Sequence, residues 1–187
     1  IYTVLSTRAK TLQEKLLDRV VFIGPDCFNG VENPYFIEDK KLFKEWVAVA
    51  KKEGLKLKVG RWKVPGSPIA FLVDFEAYYA NKNEFYGELW RRYKVDSLHA
   101  YGDYDESAMF SLATAKVVES YYRYYLSNCE NVIFHANEWQ TGFAALVLQY
   151  NVPEIATLFT THATGIGRSI AGNNKPLYGY LPAYNGD

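Results

Sequence analysis

Excess charge of either sign is missing from this chain. Lys plus Arg and Asp plus Glu number 21 each, so the formal net charge is zero. That balance removes any global electrostatic pull toward nucleic acid or an anionic membrane surface. Cysteine is scarce, and Cys27 and Cys129 lie far apart. They suggest no disulfide framework, and reduced thiols in a cytoplasmic protein are the simplest reading. No apolar run is long enough to span a bilayer, and no charged-then-apolar secretory leader is read. A G-x-S-x-G elbow, a Walker loop and a Cys–His nucleophile signature are all missing, so the enzyme classes those motifs mark find no support. Neither an internal repeat, a low-complexity segment nor a domain linker interrupts the chain.

What remains describes one globular unit. At 187 residues the chain suffices for one good core and is short for two, so residues 1–187 read as a single domain. Apolar residues make up 49% and charged residues 22%, which is ordinary. Aromatics reach 17%, with 16 Tyr. Such an excess serves hydrogen-bonded or stacking surfaces as well as core filling.

The stretch Glu154 to Arg168, E-I-A-T-L-F-T-T-H-A-T-G-I-G-R, organises the rest. Ile155 to Phe159 reads as a short buried strand, followed by a polar turn and a helix start. In an open parallel sheet, ligands sit beyond the carboxyl ends of the strands. His162, Thr164 and Arg168 therefore stand where chemistry is expected. The following helix adds free N–H groups and a positive dipole end for an anion. The competing reading is a polar turn with a capping Thr and a solvated Arg.

In chain order, Ile1–Leu17 reads as a helix with no strand before it, which suits a chain that has lost its true beginning. Arg19–Gly24 is a second buried-strand candidate, and residues 25–39 read as a loop. A helix over Lys40–Lys52 stops at Gly54. Strands over Leu55–Trp62 and Ile69–Phe75 flank the turn V-P-G-S-P. Asp74 ends the second strand; it either touches a sugar hydroxyl or caps the next short helix. Helices follow over Lys82–Tyr93 and from Asp103 or Asp105, as cap, to about Ser127. The apolar stripe of the longer one suits a helix packed on a sheet. Asn131–His135 is a third buried strand, a helix runs on to Tyr150, and the tail after Gly172 looks loop-like. The near-continuous apolar runs predict core strands of one mainly parallel sheet covered on both faces. The fold class is α/β, a Rossmann-like mainly parallel sheet with helices on both faces.

Two sequential strand ends then carry function-like residues. One offers His135 and Glu138; the other offers His162 and Arg168. A parallel βαβ unit brings both to one sheet edge. Two His, a carboxylate and an Arg there suit a polar, anionic ligand. His135 also reads as a satisfied structural histidine, and Glu138 as a favourable charge at a helix start. A metal is the weaker reading, because His-x-x-Glu at 135 and 138 is not a closed ligand set. Gly165-Ile166-Gly167 matches part of a dinucleotide fingerprint, but Ile170 stands where a Gly is needed.

The motifs T-T-H-A-T-G-I-G-R at 160–168 and H-A-N-E-W at 135–139 closely resemble the glycogen synthases of the animal and fungal type. I-Y-T-V-L at 1–5, G-R-W at 60–62 followed by P-G-S-P, and G-E-L-W at 87–90 agree. The resemblance covers nearly the whole chain and implies a retaining GT-B glycosyltransferase with two Rossmann-like domains. Residues 1–187 then form part of the N-terminal domain, without its first strand and without the C-terminal nucleotide-binding domain. The resemblance places His162 beside the transferred sugar and Arg168 at the sugar-phosphate pocket, both as catalytic residues. Glu138, His135, Asn137 and Thr164 fall in the acceptor and donor cleft. The implied donor is UDP-glucose or ADP-glucose and the acceptor an α-1,4-glucan such as glycogen, with no metal and no cofactor. Neither nucleic acid nor membrane is an implied partner, and oligomerisation belongs to the full-length enzyme.

Three departures stand out. Asn137 occupies the place of a second histidine, and Gly165 and Ile166 replace two leucines. The basic-x-Gly-Gly turn that precedes I-Y-T-V-L in the family is absent. The rival from another class is a non-catalytic carbohydrate-binding or regulatory module using the Tyr-rich surface. A nicotinamide-dependent enzyme is the second rival.

Overall fold

A computed structural model describes residues 2–28, 30–129 and 131–183. Helix α1 covers Tyr2–Leu16, one residue short of the expected start because Ile1 lies outside the described residues. Strand β1 covers Val21–Pro25, since Arg19 is still in a tight 3-10 turn. The segment 25–39, expected to be a loop, contains strand β2 at Phe36–Glu38. Helix α2 is Lys44–Lys52, β3 is Leu57–Trp62 and β4 is Ile69–Val73. Helix α3, Lys82–Tyr93, falls where the sequence places it. Helix α4 is Asp103–Tyr121 and continues through a π turn to Leu126. Strand β5 is Ile133–Asn137, helix α5 Gly142–Asn151 and strand β6 Ala156–Thr160. Helix α6, Gly165–Gly172, precedes a short helix α7 at Leu177–Tyr180, so part of the tail expected to be a loop is helical, and residues 184–187 lie outside the described residues.

The fold is α/β, as expected, but the strands fall into two sheets among the described residues. One has the order β1-β4-β3-β2, and the other is the pair β5-β6. β1 runs parallel to β4, and β5 runs parallel to β6. β3 pairs antiparallel with both β4 and β2. The three strands expected to lie in one sheet therefore all pair parallel, yet β1 is separated from β5 and β6. The faces of β5 and β6 are also less covered than their apolar runs imply. Ile133 is 67% exposed, and Leu158 and Phe159 are 50% exposed each.

Helix α4 holds the two halves together. Ala108, Met109, Ala115 and Tyr122 join a cluster with Phe85 and Leu89 of α3 and Ala144 and Leu148 of α5. Phe110, Ala113 and Val117 face the other way, onto Trp46 of α2 and Ile69, Phe71 and Val73 of β4. An apolar stripe on one side was expected; the helix is buried on two sides. Its small buried residues Ser107, Ser111 and Thr114 let neighbours approach closely. Trp46 is fully buried, and its indole N–H donates to Ser120 Oγ at 3.0 Å. Burial of one such side chain contributes about 2–3 kcal/mol.

Neither Asp103 nor Asp105 caps α4, because Gly102 occupies the cap position. Asp105 instead accepts from Lys82 Nζ at 2.7 Å and from the Tyr86 hydroxyl at 2.6 Å. That tie fixes α3 against the start of α4. Asp74 follows its local reading: Oδ1 accepts from the Glu76 N–H at 3.0 Å. Cys27 and Cys129 are both free and exposed.

Candidate functional site

The two C-terminal strand ends meet as the βαβ argument requires. In register, His135 lies opposite Leu158 and Asn137 opposite Thr160. β5 starts and ends two residues later than expected, so His135 sits within the strand rather than at its tip. Its ring Nε2 is 2.8 Å from Thr160 Oγ1, across the pair. Burial lowers the His135 pKa, and the nearby Arg8 of α1 lowers it further. Both effects favour the neutral imidazole. His135 is thus a partnered histidine, as its structural reading expects.

Glu138 bridges the strands. Its carboxylate Oε1 accepts from the His162 backbone N–H at 2.7 Å, and Oε2 accepts from the Thr161 hydroxyl at 3.1 Å. Its own N–H donates to the Thr160 carbonyl at 2.7 Å. Thr141 closes the other side, its hydroxyl donating to the Asn137 carbonyl at 2.9 Å and to the Glu138 carbonyl at 3.1 Å. Glu138 has φ 66° and ψ 164°, a region essentially reserved for glycine, with a cost of about 1–3 kcal/mol. Asn137 donates weakly to the His135 carbonyl at 3.4 Å. Its Oδ1 is buried and has no partner among the described residues.

After the turn, Thr164 caps α6. Its hydroxyl accepts from the Gly167 N–H at 3.0 Å. A Cβ on Gly167 would stand 2.8 Å from that oxygen, so the absence of a side chain there permits the cap. His162, Thr164 and Arg168 are all exposed. Arg168 lies one turn into α6 and its N–H donates to the Thr164 carbonyl at 3.0 Å. Among the described residues its guanidinium has no hydrogen bond or ion pair, so it is available to an anion. Thr160, Thr161 and Thr141 were not singled out as site residues. The doubled Thr before His162 was the available signal for the first two; nothing local marks Thr141 or Arg8.

These features define an α/β protein with a polar, cation-bearing site at the carboxyl ends of a parallel strand pair. The family model described as glycogen synthase matches residues 1–187. The chain is 28% identical over its whole length to the liver glycogen [starch] synthase of Homo sapiens, covering 27% of that protein. It is 26% identical to the glycogen [starch] synthases of Caenorhabditis elegans and Neurospora crassa, again over all of this chain and over 28% and 26% of theirs. This chain belongs to the glycogen synthase family. It spans about a quarter of the length of these curated relatives.

Proposed function

We propose that this chain is part of a glycogen (starch) synthase, a hexosyltransferase of the GT-B kind. The enzyme transfers glucose from UDP-glucose or ADP-glucose to the 4-hydroxyl of an α-1,4-glucan, with retention at the anomeric carbon. The bond from that carbon to the diphosphate breaks, a bond to the acceptor O4 forms, and the acceptor proton leaves with the diphosphate. His162 stands beside the transferred sugar. Arg168 and the N-terminus of α6 meet the charge that grows on the leaving diphosphate. Glu138, His135, Asn137 and Thr164 shape the cleft where donor and acceptor meet. The reaction calls on no metal and no cofactor. The setting is the cytoplasm, with neither nucleic acid nor membrane as partner, and the complete enzyme is able to form oligomers.

The observation that carries this reading is the junction of the two motifs: the Glu138 carboxylate binds Thr161 and His162 directly, and Arg168, whose guanidinium has no partner among the described residues, follows His162 by six residues. In the same reading residues 1–187 are one Rossmann-like unit whose first strand and whose nucleotide-binding partner domain lie outside it. Open edges support this. β1, β5 and β6 each have a parallel partner on one side and none on the other among the described residues, so either sheet is able to take a further parallel strand. The test is steady-state kinetics on the complete enzyme carrying His162→Ala or Arg168→Lys, with melting curves as folding controls. A large fall in turnover supports the assignment, and unchanged turnover in well-folded variants contradicts it.

A further inference from the structure

We propose that Glu138 is a positioning residue whose carboxylate ties the turn carrying His162 to the end of β5 and so sets where the His162 imidazole stands. The inference rests on the role proposed above for His162. Two independent observations carry it.

The first is conformational. Six described non-glycine residues have positive φ: Leu17, Phe43, Ser67, Lys94, Glu138 and Asn174. Phe43 and Lys94 sit in the ordinary left-handed helical region, with ψ 30° and 27°. Glu138 differs, with ψ 164°, where almost only glycine is at ease. A plain link between a strand and a helical turn gains by placing glycine there. Strain of this kind persists only when the surroundings over-determine it, and here they do. The Glu138 N–H is held by Thr160 and its carbonyl by Thr141.

The second is chemical. Both carboxylate oxygens are engaged by the turn, one by the His162 N–H at 2.7 Å and one by the Thr161 hydroxyl at 3.1 Å. The strained backbone aims the side chain across the strand pair, where a relaxed glycine would aim nothing. The His162 ring hangs from the very peptide whose N–H is fixed. Loss of the tie leaves His162 exposed on a turn with one fewer anchor, and misplacement of a reacting group by about 1 Å is able to cost on the order of 10²-fold in rate. A glutamine at 138 reproduces the tie. Its amide oxygen accepts from the His162 N–H, and its NH₂ donates to the Thr161 hydroxyl oxygen.

The experiment compares Glu138→Ala, Glu138→Gln and Glu138→Gly in the complete enzyme by kcat, by KM for glucan and donor, and by melting. Glu138→Ala and Glu138→Gly should lower kcat on the order of 10²-fold, with the glucan KM little changed. Glu138→Gln should recover most of that loss. Glu138→Gly should melt above Glu138→Ala, because glycine relaxes the backbone, and should stay as slow. A Glu138→Gln enzyme as slow as Glu138→Ala would overturn the inference, since a charge acting on substrate is then needed. A defect confined to the glucan KM would overturn it too, as would recovery of kcat in Glu138→Gly along with stability. His162→Ala, measured in parallel, separates the two levels. If it leaves kcat unchanged, the parent reading fails. If it lowers kcat and Glu138→Ala does not, only the positioning role fails.

Discussion

In the proposed reaction Arg168 is the residue set to meet the leaving diphosphate. A guanidinium offers a planar fork of donors that suits the oxygens of a diphosphate. A preorganised donor of this kind contributes on the order of 10²–10³ in rate, or about 3–4 kcal/mol. Arg168→Lys keeps the charge and loses the fork, so turnover in the complete enzyme should fall by that order while the melting curve holds. A solvated helix arginine would show almost no change in either. His135 makes a different prediction. Its folded pKa lies below the ordinary 6.5, through burial first and the charge of Arg8 second. The unfolded chain then binds the proton more readily than the folded one. The stability this contributes is present above about pH 6.5 and is lost as pH falls through the lower folded pKa. Melting followed from about pH 7 to about pH 5 should show a decline that His135→Gln flattens. His135 is an exposed residue, so the change is small. The position of His162, Thr164 and Arg168 just beyond a strand was legible in the sequence, because polar residues after an apolar run mark a strand end. The conformation of Glu138 was not, because glutamate has no preference for that region and only the surrounding bonds hold it there.

Among the elements, the long helices were the most legible, since the period of 3.6 is repeated many times. α3 matches its expected span, and α4 matches once its π turn is included. β5 was misplaced by two residues: the pairing starts at Ile133 and runs past His135 through Ala136 and Asn137, where the polar Asn137 hides the strand's continuation. β2 was missed altogether. It has three residues, too few for a period of two to show, and depends on β3 for its existence. Asp105 was misread as a cap because its true partner, Lys82, is 23 residues away in sequence. The β2–β3 pairing makes its own prediction. A Cβ on Gly60 would run into the Ile37 carbonyl oxygen and the Phe36 ring, so only glycine lets β2 lie against β3 as it does. Gly60→Ala should destabilise the fold by about 1–3 kcal/mol, read as a lower urea midpoint with the slope unchanged. An unaltered midpoint would show that β2 shifts freely.

At the scale of the molecule, α4 joins two clusters, one against β4 and α2 and one against α3 and α5. The βαβ order was enough to predict an α/β fold, while the split into two sheets follows from long-range pairing that no local pattern reports. Among the described residues β1, β5 and β6 are open edges, and Ile133, Leu158 and Phe159 are exposed, which in the proposed function is a surface for further chain to cover. The site has the same character. His162 and Arg168 stand exposed, and the proposed transfer has to hold donor and acceptor together in one geometry. In the proposed function these 187 residues supply one side of a two-sided active site. The measurement that tests it most directly is a transfer assay of the isolated chain beside the complete enzyme, with UDP-glucose or ADP-glucose as donor and glycogen as acceptor. No incorporation of glucose by the isolated chain, with the complete enzyme active, is the predicted result. Turnover by the isolated chain at a rate like that of the complete enzyme would contradict it.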